Sequence, residues 1–133
     1  MSLLALARRF GPAFVMMAAI YIASDLPGVD LPQGGGVNLM ARKAGHVVGY
    51  ALLGLAFLHA LVPQGAAALR AAVIAVALAT GYGATDEFHQ GFVPGRGPAV
   101  TDVLIDMVGA SLGAGVRLVR QSRRGSGELP LVG

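Results

Sequence analysis

The sequence predicts an all-α polytopic membrane protein, a bundle of four transmembrane helices, and three observations predict it. Hydrophobic residues make up 55% of the 133 and charged residues only 13%, where a water-soluble domain carries about 25% charged. Four apolar runs approach the roughly 20 residues that a helix needs to cross a bilayer. Arginines collect at the ends of those runs, as expected where basic residues anchor spans on the cytoplasmic side.

The first run, about 10–26, follows Arg8 and Arg9. A basic lead before an apolar stretch also suits a signal peptide, but Tyr21 stands where a small residue is needed before Ala23, so an uncleaved helix is expected. Residues 27–38 hold two prolines and four glycines, which predicts a loop. The second run, 44–62, is separated from the third, 66–84, by Pro63-Gln64-Gly65, a turn short enough to join antiparallel neighbours. A polar connection is expected around 86–98. The fourth run, 101–119, is followed by a tail from Gln121 that is expected to fray. The whole is expected to be one membrane domain over residues 1–120.

Seven of the ten basic residues fall on one side of this arrangement: Arg8, Arg9, Arg70, Arg117, Arg120, Arg123 and Arg124. Arg42, Lys43 and Arg96 fall on the other. Cytoplasmic termini follow from that bias. The same placement argues against nucleic acid as a partner despite a pI near 10.0, because the basic residues flank spans instead of forming a patch. With no cysteine, disulfides, thiolate nucleophiles and Cys-based zinc sites are excluded.

Ionisable groups near hydrocarbon are costly to desolvate and mark function by default. Lys43, His46 and Tyr50 are spaced i, i+3, i+7 and share one helical stripe. Gly83, Glu87 and Gln90 share another, beside Asp86 and His89. Asp102 and Asp106 lie at i, i+4 on the fourth run, with Gly109 and Gly113 continuing their stripe. The spacings Gly109-x-x-x-Gly113 and Gly45-x-x-x-Gly49 would both let neighbouring backbones approach closely. In the expected topology, Lys43, His46, Asp86, Glu87, His89, Gln90, Arg96 and Asp102 gather near one membrane face, with Asp106 about a turn deeper.

Lys43-x-x-His46-x-x-x-Tyr50, Asp86-Glu87-x-x-Gln90-x-Phe92-x-Pro94-Gly95-Arg96, and Asp102 opening a helix through Gly109-x-x-x-Gly113 together resemble the VanZ-like family of bacterial membrane proteins. That family is named for an accessory determinant of teicoplanin resistance. The resemblance covers about residues 40–115 and implies a small helical domain of the bacterial cytoplasmic membrane, associated with the cell envelope. Two positions depart from the family pattern: Arg42, where an acidic residue is usual, and Asp106, where asparagine is usual.

Three chemistries compete for these residues. Lys43 and Arg96 could grip a phosphate at the outer surface, a guanidinium offering bidentate geometry and an ammonium a compact charge. In that reading His46, Glu87, Gln90 and Asp102 position the two cations, and the ligand is a membrane lipid or a lipid-linked envelope precursor. Alternatively, the same charges pair with one another and lock the helices together. A hydrolase or transferase acting on a phosphorylated lipid would use His46 and Glu87 as acid and base, or as ligands to a metal. No HExxH or equally fixed pair is present, so neither metal nor cofactor is expected. Whether the chain catalyses anything, and whether it forms a homo-oligomer, stays open at this level.

Overall fold

A computed structural model describes residues 2–26, 35–61 and 67–126. The described residues are helical apart from one connection, with no strand: α1 is Leu3–Asp25, α2 Gly35–Leu61, α3 Ala67–Gln90 and α4 Val100–Ser126. Three helices are long and apolar enough to cross a membrane, namely α1, the Leu39–Leu61 part of α2, and α3. By the same measure α4 falls short. It is the most amphipathic of the four, because Asp102, Asp106 and the arginines of its second half interrupt the apolar sequence.

Local chemistry sets the helix ends. Ser2 caps α1, its Oγ accepting from the Ala5 N–H at 3.3 Å, which satisfies one of the amides that a first turn leaves free. The helix stops at Asp25 with Leu26 in extended backbone, because Pro27 disfavours helical geometry in the residue before it. The second helix starts at Gly35, so the glycines at 35 and 36 lie in a helix where the composition predicts a loop. Residues 27–34 and the Pro63-Gln64-Gly65 turn lie outside the described residues. The third helix runs on to Gln90, which moves Asp86, Glu87, His89 and Gln90 from the expected connection onto helical backbone. α4 continues through Gln121 to Ser126.

α4 packs against α2 and α3, α2 packs against all three others, and α1 lies on the outside against α2 and α3 without meeting α4. The pairings Lys43–Asp102 and His46–Asp106 advance together along the chain, so α2 and α4 run parallel. At the far end, the Arg9 Nε donates to the Ala60 carbonyl, which makes α1 and α2 antiparallel. The chain therefore goes up, down, up, down.

The interior is built of small residues. A Cβ on Gly54 would stand 2.7 Å from the Ala110 carbonyl oxygen, one on Gly109 would meet the Val47 backbone, and one on Gly113 would meet the Ala51 backbone. α2 and α4 thus touch backbone to backbone, as small-residue stripes allow. Gly45-x-x-x-Gly49 does not do this: Gly45 has nothing within 4 Å, and Gly49 meets only the Ile20 side chain at 3.7 Å. Alanine dominates the buried core, through Ala71, Ala72, Ala75, Ala79, Ala110 and Ala114. Many large apolar side chains, including Phe14, Ile22, Leu69, Val73, Leu104 and Leu112, face outward, while Leu53 and Leu58 are buried. In water that arrangement wastes the hydrophobic effect; in hydrocarbon, where close packing replaces it as the cohesive force, it is expected.

Candidate functional site

The carboxylates among the described residues, Asp25, Asp86, Glu87, Asp102 and Asp106, gather at one end of the bundle together with Arg42, Lys43, His46 and Arg96, at the C-terminal ends of α1 and α3 and the N-terminal parts of α2 and α4. The connection 91–99 is shaped to deliver one of them. The Arg96 N–H bonds the Val93 carbonyl at 3.1 Å, and Gly95 adopts φ 74°. With Pro94 preceding it, this is the signature of a type II turn, whose third position favours glycine. The turn carries Arg96 back toward α1, where its Nε donates to the Leu26 carbonyl and its Nη2 to the Ala23 carbonyl, both at 3.0 Å. A cation on the last carbonyls of α1 is favourable for the helix dipole. Burial lowers the Arg96 pKa from its ordinary value, and the neighbouring Arg42 pushes it the same way.

Three buried sets hold the remaining helices. The first joins α1 to α3: the Ser24 hydroxyl donates to Asp86 Oδ2 at 2.7 Å, and the Gln90 amide donates to the same oxygen at 3.0 Å. The second joins α2 to α4, with His46 Nδ1 2.8 Å from Asp106 Oδ1. In the third, Glu87 Oε2 accepts from the Ala99 N–H at 2.8 Å, so a carboxylate of α3 caps the start of α4. Nearer the surface, Lys43 Nζ donates to Asp102 Oδ1 at 2.9 Å. His89 turns away from these sets, stacking on Tyr21 at 4.7 Å and meeting Asp25 at 3.2 Å. Tyr50 is buried, with its ring stacked parallel to His46 at 6.1 Å.

A cavity of about 220 Å³ opens between α1, α2 and the 91–99 connection. Ile20, Ala23, Gly45 and Gly49 form its apolar side. Arg42, Arg96, His46, Tyr50, Ser24 and Asp86 supply its polar groups. Of the residues predicted from sequence, His46, Tyr50, Asp86 and Arg96 therefore share one cavity. Gln90 stands behind Asp86, while Glu87 and Asp106 stand behind His46. Lys43 and Asp102 form a separate pair, and His89 belongs to the α1–α3 contact.

Sequence reasoning missed two residues of the cavity. Arg42 adjoins Lys43, but neighbours on a helix point about 100° apart, so one faces α4 and the other the cavity. Its departure from the family pattern was the signal available. Ser24 gave none, because its role depends on α1 docking beside Asp86.

An all-helical bundle with apolar helices long enough to span, a polar end and an alanine-glycine interior defines a small integral membrane protein. The chain belongs to the VanZ/LLP1 family, whose model matches residues 7–120. Neither a curated protein nor a solved structure matches it.

Proposed function

We propose that this is a cell-envelope protein of the bacterial cytoplasmic membrane that binds the phosphate of an anionic lipid or lipid-linked precursor in the Arg42–Arg96 cavity. The observation that carries this reading is the convergence of two guanidinium groups on one small cavity that also has an apolar side. Arg42 makes no hydrogen bond or ion pair with another described residue. Arg96 commits Nε and Nη2 to the end of α1 and keeps further donors. Asp86 offsets part of this charge, but two cations against one carboxylate leave a positive excess, and phosphate matches the fork geometry of arginine.

In this reading α4 is a fourth span, its carboxylates turned inward onto Lys43 and His46 and its apolar face toward lipid. Both termini are cytoplasmic, on the strength of the basic-residue bias, and the cavity opens at the outer leaflet. Lys43, expected from sequence as an anion contact, donates to Asp102 at 2.9 Å, and this reading gives the anion contact to Arg42.

The test is lipid retention through extraction, read by native mass spectrometry, followed by titration with nanodiscs containing polyprenyl phosphate or phosphatidylglycerol. The expected result is a co-purifying phosphorylated lipid whose affinity falls roughly 10- to 100-fold in Arg42→Gln, the loss of a charge-assisted contact. Unchanged binding in a folded Arg42→Gln protein would sink the reading. A second reading, hydrolysis or transfer at the bound phosphate, is favoured by one feature: His46 lines the cavity while Asp106 orients its ring, as a carboxylate orients a general base. Turnover of a phosphorylated lipid that is lost in His46→Gln supports it.

A further inference from the structure

We infer that His46, Glu87 and Asp106 form a binding site for one divalent metal ion of the Mn2+ or Zn2+ type. One residue comes from each of α2, α3 and α4, and each offers a ligand atom such that all lie within 4.8 Å of one another. Both carboxylates belong to buried residues, Glu87 at 3% and Asp106 at 0% exposure. Imidazole and carboxylate donors suit these ions, and three protein ligands with a position left for water is the pattern of reactive sites.

The hydrogen bonds of the two acids leave room for a metal ion, although Tyr50 Oη, Asp86 Oδ1 and Gln90 Oε1 nearby are also buried without a partner. A proton between His46 and Asp106 satisfies Asp106 Oδ1, and the Ala99 N–H satisfies Glu87 Oε2. That leaves Glu87 Oε1 and Asp106 Oδ2 buried without partners. Orphaned carboxylate oxygens in low dielectric are costly, and one divalent ion between the two acids and the imidazole compensates both. Donors about 2.1 Å from a tetrahedral ion stand roughly 3.4 Å apart, so from separations of up to 4.8 Å loading requires the widest pair to close by up to about 1.4 Å, a movement that side-chain torsions supply.

Position 83 is also fitted to this arrangement. A Cβ there would stand 2.8 Å from Asp106 Oδ2 and 3.3 Å from the Tyr50 ring, so glycine leaves the space that the carboxylate occupies. The inference does not depend on the reading of the cavity, although His46 is common to both.

The experiment uses the full chain in detergent or nanodiscs, stripped with chelator and titrated separately with Mn2+ and Zn2+. Bound metal is counted by elemental analysis, and nitrogen coordination is read from the electron-spin-echo signal of bound Mn2+. One equivalent per chain is expected, with a histidine nitrogen in the shell. Asp106→Asn, which is isosteric and keeps an oxygen facing His46, should stay folded and lose affinity by more than the roughly 10- to 100-fold typical of an outer-shell change. Arg42→Gln should load normally. Absence of stoichiometric metal in the wild type, or equal loading of wild type and a folded Asp106→Asn, overturns the inference. Lipid binding by wild type and Arg42→Gln is measured on the same samples, so failure of the cavity reading and failure of the metal site are distinguishable.

Discussion

Lys43 and Arg42 are adjacent in the chain and differ in what surrounds them. The Lys43 ammonium ends 2.9 Å from Asp102, with the two side chains 35% and 14% exposed, whereas Arg42 looks into the cavity across from Arg96. A partly exposed ion pair contributes about 0–1 kcal/mol. Lys43→Gln is therefore expected to lower stability by less than about 1 kcal/mol and to leave lipid binding within twofold of wild type. Chemical denaturation and nanodisc titration of the two variants check this, and a larger binding loss in Lys43→Gln than in Arg42→Gln would reverse the assignment. His89 shows how a chemically competent side chain can be structural: its ring packs on Tyr21, and the bond to Asp25 ties α3 to α1.

Among the elements, α2 and α4 depend most on residue size. Their backbones meet at Gly54, Gly109 and Gly113, and what an added Cβ would strike is backbone, which cannot swing aside. Gly54→Leu or Gly113→Leu should force the helices apart and destabilise the fold by about 1–3 kcal/mol, the usual cost of overpacking. Gly45→Ala, inside α2 at a position with open space around it, should not lower stability and should raise it by up to about 1 kcal/mol. Thermal or denaturant unfolding in detergent distinguishes the two classes, and equal effects would show that these helices do not touch as described. The stripe Gly109-x-x-x-Gly113 and its twin Gly45-x-x-x-Gly49 have the same spacing in sequence. Only the first meets another helix backbone, while the second borders the cavity. Spacing places glycines on a face, but it cannot say whether a helix or a void lies opposite.

At the scale of the whole molecule, the apolar exterior, with the described carboxylates at one end of the bundle and most of the arginines at the other, is that of a bundle suited to a bilayer. The absence of cysteine makes orientation directly measurable. Gly97→Cys, in the exposed connection with nothing within 4 Å, should react with an impermeant maleimide added to intact cells. Gln121→Cys, near the end of α4, should react only after permeabilisation. The opposite pattern would invert the topology and put the cavity on the cytoplasmic side.

Composition and hydropathy determined the solvent of this protein, its helical class and the approximate helix positions, because the desolvation of backbone and side chains in a bilayer is a local, additive property of each segment. They also indicated that Lys43, His46, Glu87, Arg96 and Asp106 belong to one end, since each sits within, or just beyond the end of, an apolar run whose direction the loops fix. Only the tertiary structure decided the partners: Arg42 rather than Lys43 beside the cavity, Ser24 bonded to Asp86, His46 bonded to Asp106, and Glu87 capping α4. Those choices depend on how each helix is rotated and which neighbour it meets. Side chains about 60 residues apart in sequence, such as His46 and Asp106, settle that rotation jointly, and no periodicity within a single helix records it.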